Sequence, residues 1–430
     1  MTSLEKHGPW GLDRALVVGA FACAMLVFLP LLGHSFYRDD FGWVERAIDA
    51  APHPVRWFTL AGTDFRPLAS LSFVLNLKAS GLAPAGYYAF NLLLHLANVA
   101  LLMALVLRLS GGSLRAAGIA GLLFGVGFAH YGEAVYWICG RTGPIADLFM
   151  LATLVAHWDG LARGKARVRA PALAFFGLAL LAKETAAILL PLVALLEWAH
   201  PARRGSLLAS ATDAARRLAP YAAMLLAYVA FQFLWWRAGS PILAREYVFG
   251  PHAVTNLLEY ATRMFVPLNP TSMVVSLPPR LLPLLRGLDV ALMIALPLAW
   301  IALLLAPLPR VAKFALVWIP LTILPVVFFT YRTSARYLYT PGMGVAILAG
   351  LGIAAWTSPT GGRTRGGRTR GGRTIAALFA IALIVLLQAA VMTVILRRHR
   401  QFERAEGEES WVHLRAHAQA AGIDPGRAGP

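Results

Sequence analysis

Cysteine and charge are scarce in this chain. Across 430 residues there are two cysteines, and charged residues make up 14%. Two cysteines cannot frame a disulfide-stapled domain: Cys23 lies within the first apolar run and Cys139 in a later loop, so cysteine usage leaves the redox compartment open. Acidic residues are the rarer charge, with 21 Asp and Glu against 39 Lys and Arg. The resulting formal charge of +18 does not point to nucleic acid. The basic residues sit in short loops between apolar runs, as the positive-inside bias and contact with anionic lipid require. No HExxH, CxxC or DxDxDG pattern offers a metal site, although a tandem Asp39 and Asp40 could hold a divalent ion weakly. The glycines of the GGRTR repeat at 361–374 lack the GxGxxG spacing, and no strand precedes them. They read as a flexible basic linker.

What is abundant is apolar surface: 58% of the residues are hydrophobic. Apolar runs occupy 15–33, 87–107, 116–129, 144–158, 170–182, 185–198, 218–236, 288–307, 314–329, 340–356 and 375–396. Their lengths predict an all-α polytopic membrane protein, a bundle of roughly eleven transmembrane helices. The N-terminal segment lacks a small-residue cleavage site after its long apolar run, so the first run reads as an uncleaved anchor. Basic loops at Arg108 and Arg115, at 163–169, at 203–217, at Arg310 and Lys313, and at 357–374 all fit the cytoplasm on one alternating path. The organisation expected is a cytoplasmic N-terminus over 1–14, a membrane domain over 15–396, and a short extracytoplasmic tail over 397–430. Within the membrane domain, 34–86 forms the first extracytoplasmic loop and 357–374 a cytoplasmic linker. Amphipathic helices are expected in that loop, from DFGWVERAIDA and RPLASLSFVLNL, and in the tail, from SWVHLRAHAQAA.

Residues 171–198 form either one overlong helix with Lys183 and Glu184 at its middle or two short helices meeting at AKET. One helix would put the basic loops at 163–169 and 203–217 on opposite sides, so the hairpin is the better reading. Helices of about 13 residues cover about 20 Å, so the hairpin tip should lie below the membrane surface and line a polar cavity.

The same alternation gathers the polar side chains at one face. Asp39 and Asp40 open the first loop helix, and Asp64 and Arg66 the second. A single Asp at a helix N-terminus reads as a cap, whereas a tandem pair beside a membrane cavity reads as functional. Arg141, Lys183, Arg332 and Arg336 are cations on that face, with Tyr337 beside them. Such donors suit a lipid-linked phosphate, since Arg and Lys neutralise phosphoryl oxygens as charge builds on a leaving group. The competing assignment is internal pairing, Glu133 with Arg141 and Lys183 with Glu184. His130 reads as a packed or helix-end histidine beside the site.

The ordered motifs YRDDF, FRPLASLSFVLN, YYAFNLLLHLAN, HYGEAVYWICGR, AKETAAILLPL and RYLYTPGMG resemble the membrane core of the transmembrane tetratricopeptide-repeat O-mannosyltransferases. These belong with the protein mannosyltransferases in the GT-C class of polyprenyl-phosphate-sugar glycosyltransferases. The resemblance covers most of 30–350. It implies inverting transfer from a polyprenyl-phosphate sugar to a protein or glycan acceptor at the extracytoplasmic face. The family's catalytic carboxylate falls on Asp39 or Asp40, and its second acidic position on Asp64. The chain departs from the family in two ways. No period of 34 residues follows residue 396, and the usual HP of the HYGEAVYW segment is HY here.

On this reading Asp39, or else Asp40, is the general base, the cations hold the departing phosphate, and Asp64 and Arg66 orient base or sugar. The donor lipid serves as co-substrate. A lipid-linked substrate transporter or flippase is the rival, since intramembrane charges also mark substrate paths. A non-catalytic scaffold is the third possibility. Alanine- and arginine-rich composition points to a bacterial inner membrane with the site facing the periplasm.

Overall fold

The computed structural model describes residues 11–59, 65–127, 133–163, 170–201, 207–237, 247–265, 282–330, 333–358 and 368–424. In chain order these form α1 (Leu12–Phe28), α2 (Asp39–Ala50), α3 (Pro67–Ser80), α4 (Pro84–Leu109), α5 (Leu114–Val126) and α6 (Glu133–Tyr136). There follow α7 (Thr142–Arg163), α8 (Ala170–Ala182), α9 (Leu189–Ala199), α10 (Leu207–Arg237) and α11 (His252–Phe265). The last four are α12 (Leu282–Leu305), α13 (Arg310–Ile323), α14 (Tyr339–Thr357) and α15 (Arg368–Ala420). Among the described residues the β pairing is one isolated antiparallel bridge between Tyr247 and Phe329.

Each of the eleven apolar runs coincides over most of its described length with a helix, as their length and hydropathy require. Seven helices among the described residues are long and apolar enough to cross a membrane by themselves: Leu12–Gly33, Pro84–Leu109, Ile138–Arg163, Thr212–Leu234, Gly287–Leu305, Ala335–Thr357 and Gly372–Val394. The other four runs give α5, α8, α9 and α13, of 13, 13, 11 and 14 residues. Backbone polar groups at the ends of such short helices are tolerable only where protein surrounds them. α5 shows this most clearly, being buried at every residue from Ala116 to Val126.

α5 is the axis of the bundle. α1 and α14 pack along it, α4 crosses it and continues onto α7, and α13 packs behind α14. The approach is close because small residues line the contact. A Cβ on Gly118 would stand 2.7 Å from the Cβ of Leu16 in α1, and one on Gly350 of α14 would stand 2.6 Å from the carbonyl oxygen of Ala116.

α8 and α9 meet as a broken pair. Lys183 is extended, with φ −162° and ψ 139°, and a 3-10 turn over Glu184–Ile188 leads into α9. The chain thus breaks at AKET, which places Lys183 and Glu184 at a tip instead of mid-helix.

Two groups of charges mark the two ends of the bundle. At one, Arg108 makes a two-pronged contact with Asp159, and Arg115 binds Asp13. Near them Glu197, buried, accepts from Arg217 at 3.0 and 3.2 Å and meets His157 at 3.2 Å. At the other end α2, α6, the α8–α9 tip and the segment before α14 converge.

The boundaries expected at 374 and 397 do not appear as breaks. α15 is continuous over 53 residues, roughly 80 Å of helix, so it outruns the bilayer and its distal part lies along α2. The basic and acidic residues on either side of the apolar run are acceptable helix formers, and a helix already nucleated propagates at little cost. The earlier part of the GGRTR repeat lies outside the described residues.

Gly350→Ala should lower stability by about 1–3 kcal/mol, the usual cost of overpacking, because the new methyl meets backbone and not a yielding side-chain tip. Thermal unfolding in detergent measures this, and Gly352→Ala, whose Cβ would meet nothing within 4 Å, should stay near wild type.

Candidate functional site

The site is built on the turn entering α2. Arg38 is its N-cap residue, with φ 47° and ψ −117°, and it is the one non-glycine residue of positive φ among the described residues. That backbone is strained for a side chain with a Cβ and persists only where neighbours over-determine it. Several do. Phe36 is fully buried against Tyr87, Phe41 and Trp411. The Tyr88 hydroxyl donates to the Ser35 carbonyl at 2.9 Å. The Asp40 carboxylate reaches back to accept the Tyr37 N–H at 3.1 Å.

The two aspartates are thereby separated. Asp40 is fully buried, and its second oxygen accepts the Cys139 N–H at 2.9 Å, which ties α2 to the segment before α7. Burial pushes its carboxyl up to about 7, against the lowering effect of the Cys139 and Tyr37 hydrogen bonds and the Arg141 charge. Asp39, one residue earlier, is exposed. The pair therefore offers no shared carboxylate cage for a cation. Among the described residues no group of three or more His, Cys, Asp or Glu is placed to hold a metal ion.

The cations divide as well. Lys183 is buried at the hairpin tip, its Nζ 5.0 Å from the Tyr337 ring centroid. The Arg336 guanidinium lies 4.8 Å from the Trp137 ring and 5.1 Å from Tyr337. Tyr337 thus lies beside both cations. The indole N–H of Trp137 is buried and finds no acceptor among the described residues. The segment bearing Arg336 is held by Glu133, whose carboxylate accepts the Ser334 hydroxyl at 2.9 Å and the Arg336 N–H at 2.8 Å. α11 adds a further tie, with Arg263 donating to the Thr333 carbonyl at 2.8 Å.

Arg141 has a different setting from the other cations. It is fully buried, donates to the carbonyls of Ile138 and Tyr87 and to the Asn76 side chain, and lies against Phe73, Phe90 and Tyr87. Its fork joins α3, α4 and the start of α7. The ion pairs weighed from the sequence are not the ones formed. Glu184 takes both prongs of Arg66, at 2.7 and 2.9 Å, and Glu133 holds the Arg336 backbone. A planar guanidinium matches a carboxylate in two places, where a lysine offers only a point charge. Asp64, Arg332 and His130 lie outside the described residues.

Several polar residues of the interior escaped the sequence reading. Asp147 of α7 is buried and accepts the Thr340 hydroxyl at 2.9 and 3.0 Å. His95 of α4 meets the Tyr339 hydroxyl through Nδ1 at 2.8 Å and the Gly125 carbonyl through Nε2 at 2.9 Å. Since a carbonyl only accepts, Nε2 carries the proton and Nδ1 receives one from Tyr339. The available signal was an ionisable residue inside an apolar run, which both residues satisfy.

The chain matches no protein-family model. Over 149 residues it is 34% identical to the protein O-mannosyl-transferase tmtc2 of Xenopus laevis, a match covering 32% of the chain and 18% of that relative. Human TMTC2, of the same description, is 31% identical over 150 residues, again 32% of the chain and 18% of the relative. The match thus spans under a fifth of these relatives' length. In structure the chain is similar to ArnT from Cupriavidus metallidurans in its apo state, with a TM-score of 0.50 and 15% identity over 96% of this chain and 75% of that one. It is equally similar, with TM-score 0.50 and 16% identity, to ArnT bound to undecaprenyl phosphate, over 96% and 76% of the two chains. The protein is thus an integral membrane protein, an all-α bundle with the fold of ArnT, and it resembles the O-mannosyltransferases in part of its sequence.

Proposed function

We propose that the protein is a membrane glycosyltransferase that moves a sugar from a polyprenyl-phosphate donor to an acceptor hydroxyl at the extracytoplasmic face, with inversion. The observation that carries this reading is the division of the aspartate pair. Asp40 is sealed and its oxygens are occupied by amides, while Asp39 stands exposed on the turn that Asp40 holds. At the same end of the bundle Lys183 and Arg336 gather beside Tyr337.

In this mechanism Asp39 accepts the proton of the acceptor hydroxyl. The freed oxygen attacks the anomeric carbon from the face opposite the phosphate, and the carbon–oxygen bond to phosphate breaks with its electron pair leaving on the phosphate. Lys183 and Arg336 stabilise the charge that grows there, which helps only as far as it exceeds their attraction for the bound donor. The Trp137 N–H is a further donor at that position. Arg66 and Glu184 brace α3 against the hairpin, and Glu133 braces Arg336. Arg141 serves the frame of the site. The names of the relatives support the reaction class: O-mannosyl transfer in TMTC2 and undecaprenyl phosphate bound in ArnT. The basic loops at the far end of the bundle favour a cytoplasmic position there, which leaves the Asp39 end outside.

Asp39→Asn should lower transfer from a polyprenyl-phosphate hexose by about 100-fold or more, read as released polyprenyl phosphate, while the purified protein stays monodisperse. Full activity in that variant, or vectorial movement of the lipid without cleavage, would refute the assignment. Lys183→Ala and Arg336→Ala should each lower kcat more than they raise KM.

Asp40 predicts a dependence of stability on pH. Its folded carboxyl sits at about 7 against an ordinary value of 3.8. Between those values the native state holds more protons than the unfolded chain, so stability falls as pH rises, by at most about 4 kcal/mol. Below pH about 4 the penalty is absent, and above about 7 it is fully present. Melting temperature measured from pH 4.5 to 8 should decline more steeply for wild type than for Asp40→Asn. Equal slopes would show that Asp40 is not held neutral by burial.

A further inference from the structure

The tail after the last span has an anchor that the proposed chemistry does not use. α15 continues past the membrane run and lies along α2, and Trp411 is the large aromatic among its buried residues there, 1% exposed. Its ring stacks on Phe36 with centroids 5.2 Å apart and meets the edge of Phe41 at 5.7 Å. Its indole N–H donates to the Ser35 hydroxyl oxygen at 2.8 Å. Ser35 and Phe36 lie three and two residues before the strained Arg38, and Phe41 immediately follows Asp40.

Leu414 and Ala418, one and two turns on along the same face of α15, are buried too, whereas the polar contacts lie at the surface. His413 faces Glu45 and His417 faces Asp49 of α2, each at 2.8 Å, and Arg400 donates to the carbonyl of Gly33, ahead of α2, at 3.2 Å. Exposed pairs of this kind set register more than they hold position. A buried aromatic ring with a satisfied N–H does hold position. It also supplies a wall of the pocket that keeps Phe36 in place, and Phe36 in turn fixes the backbone from which Asp39 is presented.

We propose that Trp411 is a positioning residue for the Asp39 turn, so that the C-terminal helix forms part of the transferase site by clamping the α2 entry. This rests on the glycosyl-transfer reading above. Trp411 touches neither donor nor acceptor. It acts through Phe36 and Ser35 on the conformation of Tyr37 to Asp40, and the lipid-phosphate cations do not depend on it. Its loss should therefore reduce turnover and spare donor binding.

The test uses the full chain in detergent or nanodiscs, with a polyprenyl-phosphate hexose as donor. Trp411→Ala should lower kcat by about 100-fold, the scale of a displacement near 1 Å at the reacting group, with KM for the donor within about twofold of wild type. Trp411→Phe keeps the stacking and should recover about tenfold of that loss, and Ser35→Ala should resemble Trp411→Phe. Amide hydrogen exchange should quicken over 35–44 in Trp411→Ala and stay unchanged over 87–109. An unchanged kcat overturns the proposal, as does exchange that quickens throughout the bundle, since that would mean a general loss of stability. If Trp411→Ala does not fold, Trp411→Phe and Ser35→Ala decide, and unchanged kcat in both overturns the clamp. If wild type transfers no sugar, the functional reading fails by itself. Exchange over 35–44 then still tests the clamp, and unaltered protection in Trp411→Ala overturns it.

Discussion

A charged side chain inside an apolar bundle must find its partner within the protein, because lipid offers none and water does not reach it. That requirement organises both ends of this molecule. Glu197 gathers Arg217 and His157, with Tyr221 behind the histidine at 3.0 Å. Arg141 is satisfied by two carbonyls and Asn76, and Arg66 closes on Glu184. At the site end an exposed Asp39 stands on one side, and Lys183 and Arg336 are set against aromatic rings on the other. Cation–π contact helps to position those two cations.

The two neighbouring aspartates show how one short motif supports two tasks. Adjacent residues at a helix N-terminus point in different directions, so one carboxylate can turn inward to accept amides while the other faces out. The inward one carries the desolvation and is driven towards its neutral form. The outward one stays in contact with solvent. The strained Arg38 ahead of them sets the entry into α2, and that strain is sustained by groups from α4, from the segment before α7 and from α15. The turn is therefore a meeting point of segments far apart in the chain.

Much of the bundle was legible in the residues. Run length and hydropathy located each apolar helix, and basic loops on both sides of AKET indicated a hairpin there, which matches the extended Lys183. Run length could not show which helices are long enough to span alone, because that depends on where their ends are sheltered. α5, at 13 residues, works because α1, α4 and α14 enclose it. Its glycines were visible in the sequence, but their purpose, close contact with α1 and α4 at Leu16, Ala20 and Met103, was not.

Composition and periodicity by themselves determined a helical membrane protein with an acidic pair at the start of a loop helix and cations spread over later loops. Only the tertiary structure decided which aspartate is sealed, which arginine takes Glu184, why Arg141 belongs to the frame and that the tail reaches back to Phe36. The reason is physical. Membrane helices are specified locally, by the free energy of apolar burial along one segment. Carboxylate burial, ion pairing and the docking of Trp411 depend on contacts between residues 99, 118 and 376 positions apart, which no local pattern encodes.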